Sequence, residues 1–294
     1  MEKEIVVNNV GGLTVERKME IKRDDLHPEI ASPGETVLVL QRNAKDDRSP
    51  KSEDFGALIP EQAKQAEDSA RVFFDQVFAD TGEEEKSKIR ILVVASDASL
   101  PRPDGGEPHK RAVDTAVSVI SGIKESMRKF DVSDDQLLNE VETTSGTPIE
   151  MSGLTDLLIF KDSPEFVDFL KKKYGFGKDF WVKLEEDADI TERAGLGAEG
   201  PSDVADRMRR VLSALVQECA RKYHQADPGT RLYIWAVSHY DSISPLVKDY
   251  IYNKDPAKAY LPVEQGSGIV IKLDKDGVGK TTINGETHLA VFLS

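Results

Sequence analysis

Cysteine is nearly absent from the sequence. The chain of 294 residues holds a single one, Cys219, so no disulfide can form within it. A chain of this length can bury a sizeable hydrophobic core instead. Cys219 falls on the apolar side of a predicted helix, where we expect a buried structural thiol. A reducing, cytoplasmic location is the expectation that follows.

Long apolar runs are also missing. No stretch approaches the roughly 20 apolar residues that a membrane-spanning helix needs. The first residues, Met1 to Glu4, lack the apolar segment of a signal peptide. We therefore expect no membrane partner.

Positive charge is in short supply. The chain has 39 lysines and arginines against 53 aspartates and glutamates, which gives a formal net charge of -14. This balance argues against binding to a nucleic-acid backbone or to an anionic membrane surface. Any anion-binding pocket must therefore be a local concentration of arginine in an acidic surface.

Two common functional motifs are absent or incomplete. The 5 histidines are scattered, no pair has helical i, i+4 spacing, and neither CxxC nor HExxH occurs. Gly279-Lys280-Thr281 resembles the end of a phosphate-binding loop, but the position that must hold its first glycine is Asp274. A strand is also predicted to follow it, where that loop needs a helix. We therefore expect neither a metal nor another cofactor.

The sequence does contain an alternation of apolar strands with amphipathic helices. Predominantly apolar runs at 36–40, 89–94 and 232–237 predict buried strands. Apolar residues recur at helical spacing in between, over 63–77, 112–127 and 204–219. This alternation predicts a three-layer α/β fold, in which a mostly parallel sheet carries helices on both faces.

Three segments depart from the alternation. Residues 268–294 contain two hairpin signals, Asp276-Gly277 and Asn284-Gly285, between short apolar stretches, so we predict a C-terminal β-meander. Residues 129–187 mix acidic turns with a Phe- and Lys-rich helix, and we interpret them as a cap or insertion. Short apolar pieces in 4–35 indicate an extension at the sheet edge. The overall prediction is one domain over 1–294.

Polar side chains follow the predicted strands at their carboxyl ends, where open α/β sheets bind ligands. Arg42 and Asn43 follow the first strand, and Ser238 and His239 follow the last. Arg111 opens a helix, and a helix N-terminus favours anions. Two arginines can hold a phosphate through bidentate hydrogen bonds. Each of these residues, taken alone, could also be an ordinary solvated or structural side chain.

A glycine-punctuated loop is predicted over 190–200, before the strongest helix. It carries two carboxylates, Glu192 and Glu199, and Ser202 or Asp203 can cap the helix that follows. A carboxylic acid here could protonate a leaving oxygen if burial raised its pKa. The alternative is a surface loop with acidic residues at a helix start.

Taken in order, these segments resemble the histidine phosphatase superfamily of phosphoglycerate mutase-like proteins. That family carries Arg-His-Gly or Arg-His-Ala after its first strand, an Arg-Ala-x-x-Thr-Ala helix start, a carboxylate loop ending near Glu-Gly, and a late Ser-His. The corresponding segments of this chain are Arg42-Asn43-Ala44, Arg111 to Ala116, Glu192 with Glu199-Gly200, and Ser238-His239.

The resemblance implies a phosphatase, a phosphomonoesterase more than a mutase, that works through a phosphohistidine. Carried over, Arg42, Arg111 and His239 hold the phosphate, and His239 also belongs to the catalytic set. Glu192 is the implied proton donor, and position 43 is the implied nucleophile.

Asn43 departs from the family pattern. Its amide lone pair is delocalised and cannot attack phosphorus, and losing a nucleophile cost about 10⁶ in rate in one protease. The amide can still donate a hydrogen bond to phosphate. We expect binding without turnover, either in a phosphatase inactivated by this residue or in a natural pseudophosphatase.

The ligand expected in either case is a phosphorylated small molecule or a phosphoprotein, and a homodimer is left open. A third hypothesis is a structural protein that keeps the fold without a pocket. The segment 97–109 is also longer than in the family, where a few residues separate the strand-end serine from the arginine. We expect it to form a loop beside the pocket and, with 129–187, to shape the choice of substrate.

Overall fold

The computed structural model describes residues 9–10, 13–14, 20–47, 56–99, 105–143, 146–156, 162–176, 178–252 and 261–291. Its strands are β1 (Asn9–Val10), β2 (Leu13–Thr14), β3 (Thr36–Arg42), β4 (Ile89–Ser96), β5 (Ile149–Met151), β6 (Arg231–Ser238), β7 (Gly268–Leu273), β8 (Val278–Ile283) and β9 (Glu286–Val291). Its helices are α1 (Pro60–Ala79), α2 (Glu83–Lys86), α3 (Arg111–Lys129), α4 (Leu138–Glu142), α5 (Pro164–Tyr174), α6 (Lys178–Glu185), α7 (Ile190–Gly195), α8 (Pro201–Tyr223) and α9 (Tyr240–Tyr250).

The main sheet is mixed. In the described part of the chain its strand order is β5-β4-β6-β3-β7-β8-β9. The first four of these strands run parallel to one another, and the pairs β3–β7, β7–β8 and β8–β9 are antiparallel. The predicted mostly parallel core and the C-terminal meander are therefore confirmed. The predicted apolar piece at 5–7 lies outside the described residues.

The central strands are buried on both faces. In β3, Val37 and Val39 belong to a hydrophobic cluster with residues of α1 and α3, while Leu38 and Leu40 belong to a cluster with residues of α8 and α9. Successive side chains of a strand point to opposite faces, so a strand between two helical layers must be apolar throughout. The two clusters make the predicted three layers. Cys219 is buried in the second cluster, as predicted.

The segment 129–187 contributes to the sheet. Its strand β5 pairs in parallel with the end of β4, with Glu150 opposite Ala95. Apolar residues of α5 and α6, such as Phe166 and Phe180, join the same core cluster as α8. The cap interpretation stays a prediction, although part of this segment completes the sheet edge. Across the described residues, no helix is both long and apolar enough to cross a bilayer.

Helices α1 and α3 pack closely at Gly122. A methyl group built on this residue would lie 2.0 Å from the carbonyl oxygen of Glu67 in α1. That oxygen belongs to the backbone of a neighbouring helix and cannot move aside cheaply. Gly122 is therefore required for this helix pair to pack as it does.

Gly122→Ala is expected to lower the free energy of unfolding by about 1–3 kcal/mol, although alanine ordinarily favours a helix over glycine. Equilibrium denaturation in urea measures the change. Gly195→Ala is the control, because a Cβ at this helical glycine meets nothing within 4 Å. If Gly122→Ala had the same free energy of unfolding as the parent, the close packing of α1 and α3 would be contradicted.

Candidate functional site

The carboxyl ends of three parallel strands meet at one edge of the sheet. In the β3–β6 register Arg42 stands opposite Ser238. The N–H of Asn43 donates to the carbonyl of Ser238 over 2.8 Å. Nε2 of His239 lies 3.0 Å from Oγ of Ser96, the last residue of β4. The strand ends thus bring together the first and last motifs predicted from the sequence.

Asn43 is tied to the start of α3 through its neighbour. Its side chain is buried, and Nδ2 donates to the carbonyl of Ala44 over 3.0 Å. The N–H of Ala44 donates to Oγ1 of Thr115 over 3.1 Å, and that hydroxyl donates to the carbonyl of Arg111 over 2.8 Å. This chain of hydrogen bonds couples the turn after β3 to the helix that carries Arg111.

Both predicted phosphate-binding arginines are oriented by other groups of the protein. Nη1 of Arg42 donates to the carbonyl of Val263, and its Cζ lies 5.2 Å from the centroid of the Tyr240 ring, within cation–π range. Nη1 of Arg111 lies 3.8 Å from Oδ1 of Asp46, whose carboxylate is buried. These contacts reduce the number of guanidinium orientations that a ligand would have to select.

His239 is buried and held from the side by Ser96. The Ser96 hydroxyl oxygen also accepts the N–H of Ala98 over 3.1 Å, which fixes its position. His239 is 3 % exposed and sits at the N-cap of α9. The ring therefore occupies a defined place at the sheet edge rather than a solvated one.

Asp156 is a candidate functional residue that the sequence did not single out. The pKa of its carboxyl group is raised to about 6, chiefly by burial and also by the charge of Asp241, while the guanidinium groups of Arg111 and Arg207 oppose the rise. A carboxyl group that titrates near neutral pH beside an arginine of the site is a candidate acid–base group. The signal missed was a carboxylate shortly after a strand, since Asp156 lies five residues beyond Met151, the end of β5.

A second carboxyl group with a raised pKa comes from the end of α6. The pKa of Glu185 is raised to about 8, chiefly by burial and also by the charge of Asp241. A hydrogen bond from Tyr240 and the charge of Lys248 oppose this rise. The segment 129–187 therefore contributes a carboxyl group to the start of α9, next to His239.

Glu192 occupies a different setting. It is exposed on α7, and the contacts described above for Arg42, Arg111 and His239 do not involve it. Its role as proton donor stays a prediction, whereas Asp156, like Asp46, is a carboxyl group within electrostatic reach of Arg111.

The loop that the sequence predicted over 190–200 is present only in its second part, 196–200. Residues 190–195 form α7, because Arg193 is buried and anchors the turn: its Nε and Nη2 donate to the Asp187 carboxylate over 2.6 and 2.8 Å. Helix α8 begins at Pro201 with Gly200 as its N-cap, so the predicted capping residues lie inside it. The Asp203 carboxylate still accepts the Gly200 N–H over 2.8 Å.

No protein-family model and no curated protein sequence matches the chain. Solved structures do resemble it. A phosphoglycerate mutase from Bacillus anthracis is 16% identical, with a TM-score of 0.47, over 87% of this chain and 95% of that one. A mycobacterial glucosyl-3-phosphoglycerate phosphatase is 16% identical, with a TM-score of 0.44, over 84% and 97%. A phosphoserine phosphatase from Entamoeba histolytica is 13% identical, with a TM-score of 0.43, over 86% and 96%.

At identities of 13–16% and TM-scores below 0.5, these similarities carry no conclusion about function, which has to rest on the residues of this chain.

Glu185→Gln is expected to change how stability depends on pH. Because the pKa of Glu185 is raised from 4.5 to about 8, the folded state binds more protons than the unfolded state between these values, and stability falls as pH rises through them. Glutamine removes this loss. As the pH rises from 4.5 to about 8, the free energy of unfolding of the variant should increase relative to that of the parent by at least about 1 kcal/mol, as measured by urea denaturation.

Glu186→Gln is the matched control for that experiment. Glu186 is the next residue, and its exposed carboxylate pairs with Lys183 over 2.6 Å. The free energy of unfolding of this variant, relative to the parent, should not increase with rising pH. A pH-independent difference between Glu185→Gln and the parent would contradict the buried setting of Glu185.

Proposed function

We propose that the chain is a phosphomonoesterase scaffold of the histidine phosphatase type, which binds a phosphate ester but does not turn it over because residue 43 is asparagine. One observation carries the proposal. Arg42, Asn43 and His239 lie at adjacent strand ends, and Thr115 couples the same turn to the helix that carries Arg111. In a chain with a net charge of -14, two arginines carried by these neighbouring elements support an anion site.

The side-chain hydrogen bond of Asn43 supports a histidine-type mechanism. Its Nδ2 donates to the carbonyl of Ala44. A histidine at position 43 could give its Nδ1–H to the same carbonyl, which would leave the Nε2 lone pair to attack phosphorus. The backbone that would orient a nucleophilic imidazole is therefore in place.

The reaction proposed for Asn43→His has two steps. Nε2 forms a bond to phosphorus while the bond to the leaving oxygen breaks, and the Asp156 carboxylic acid gives that oxygen a proton. Water then attacks phosphorus, the P–N bond breaks, and the Asp156 carboxylate takes the water's proton. Arg42, Arg111 and His239 stabilise the phosphate oxygens in both steps. We prefer Asp156 to Glu192 as the acid because of its position.

A second candidate function is that of a natural pseudophosphatase that binds a phosphorylated small molecule or a phosphoprotein as a signal. The observation that favours it is that Asn43 is buried with its amide already hydrogen-bonded, so asparagine suits the site as it stands. Both candidates predict ligand binding by the chain, and they differ in what a histidine at position 43 restores. A cytoplasmic location and a homodimer stay predictions.

The chain is expected to bind orthovanadate, and Arg111→Met is expected to weaken that binding about tenfold to hundredfold. The reason is that charge-assisted hydrogen bonds are worth about 1.5–3 kcal/mol. Isothermal titration calorimetry measures the affinity. Arg128→Met is the control, because it makes the same charge change on an exposed residue at the other end of α3. Failure of the parent to bind would favour a fold without a pocket.

Asn43→His is expected to hydrolyse glycerol 2-phosphate, a reaction that the parent catalyses slower by several orders of magnitude. Because the acid must be protonated, kcat/KM should fall as pH rises through about 6, the raised pKa of Asp156. Phosphate release measures the rate. In the same background, Asp156→Asn should abolish this decrease of kcat/KM with rising pH. A folded but inert Asn43→His variant of a vanadate-binding parent would favour the pseudophosphatase.

A further inference from the structure

The backbone carbonyl groups of residues 153–156, the four residues that end at Asp156, all accept hydrogen bonds from side chains. Arg207 donates to the carbonyls of Gly153, Thr155 and Asp156 over 3.0, 3.2 and 3.1 Å. The remaining carbonyl, that of Leu154, accepts the Ser238 hydroxyl over 2.6 Å. Backbone carbonyls of four consecutive residues are thus satisfied from outside the segment.

The same segment is connected directly to the strand and helix that flank His239. Ser238 ends β6, and Ser242 of α9 donates its hydroxyl to the carbonyl of Thr155 over 2.7 Å. Segment 153–156 is therefore bound on one side to α8 through Arg207 and on the other to the residues around His239. Its position relative to the phosphate site cannot drift without breaking several buried hydrogen bonds.

The guanidinium group of Arg207 is itself fixed. Its Nε and Nη2 bind the Glu199 carboxylate over 2.8 and 3.1 Å, in the bidentate geometry that arginine favours. Nη1 also donates to Oγ1 of Thr155 over 3.1 Å. Each of the three nitrogens therefore has an acceptor, and the fork is planar and rigid. A lysine at this position would keep the charge but could not reproduce the fork.

We propose that Arg207, oriented by Glu199, is the positioning residue that holds Asp156 where it can protonate the leaving oxygen. The inference rests on the proposed function, because it assumes that Asp156 is the acid. It assigns Glu199, one of the two carboxylates noted in the sequence, to orienting an arginine. It also assigns Ser238 of the Ser-His motif to holding the backbone before Asp156.

The activity test uses two substrates in the Asn43→His background. The leaving group of glycerol 2-phosphate is an alkoxide that needs a proton, whereas the leaving group of 2,4-dinitrophenyl phosphate is a phenolate that is stable without one. Arg207→Lys is expected to lower the ratio of the two kcat/KM values, alkyl to aryl, at least about tenfold. Asp156→Asn should lower the same ratio, and Glu199→Gln should lower it in the same direction.

Arg210→Lys, three residues further along α8 and exposed, is the matched control and should leave the ratio unchanged. A general loss of structure would lower both rates together. If Asp156→Asn lowers the ratio and neither Arg207→Lys nor Glu199→Gln does so, the positioning role is overturned. If Asp156→Asn itself leaves the ratio unchanged, Asp156 is not the acid and the inference falls with it.

A second measurement needs no activity. In the parent chain, the pKa of Asp156 can be measured by NMR from the chemical shift of its carboxyl carbon. Glu199→Gln is the second variant, for use if Arg207 variants do not fold. Arg207→Met should raise the pKa of Asp156, because the Arg207 guanidinium lowers it in the parent. An unmoved titration in Arg207→Met and Glu199→Gln would overturn the positioning role even if Asn43→His proved inert.

Discussion

The parallel pairing of β3 with β6 is the constraint on which the site depends. Side chains alternate between faces, so a slip of one residue would turn the apolar sets of β3 toward the wrong helical layers. Burial on both faces therefore fixes the register. This register brings the residues that follow β3 next to His239, and the N–H of Asn43 donates to the carbonyl of Ser238. Hydrophobic packing far from the ligand thus determines which polar groups meet.

Charge at the site is balanced locally. Two arginines of the candidate site have carboxylate partners: Arg111 faces the buried carboxylate of Asp46, and Arg207 is paired with Glu199. Two further carboxyl groups, Asp156 and Glu185, are shifted by burial toward their neutral forms. A neutral carboxylic acid does not repel a phosphate as a carboxylate would. An acidic protein can in this way keep carboxyl groups beside an anion site.

Much of the fold could be predicted because its signals are local. The runs that became β3, β4 and β6 are predominantly apolar, and the helices between them show helical periodicity. The hairpin turns at Gly277 and Gly285 marked the meander. Arg42, Asn43 and His239 could be grouped because the carboxyl ends of parallel strands meet at one edge.

The rest of the site could not be predicted, because its signals are not local. Strand β5 has three residues, too few for a periodic pattern. Asp156 becomes notable through burial and through Arg207, which lies 51 residues further along the chain. Residues 190–195 of the predicted loop are helical for a similar reason, since the ion pairs of the buried Arg193 stabilise this turn of helix.

Strand β3 has a parallel neighbour on one side and an antiparallel one on the other. The carboxyl end of β3 therefore meets the chain entering β7, and the N–H of Arg42 donates to the carbonyl of Ser267 over 2.7 Å. The same entering segment supplies the Val263 carbonyl that receives the Arg42 guanidinium. Residues 261–267 thus set the height of that guanidinium above the sheet. If the proposed anion site is correct, substitutions in this segment would change the position of the Arg42 guanidinium, and with it the anion affinity, through the backbone alone.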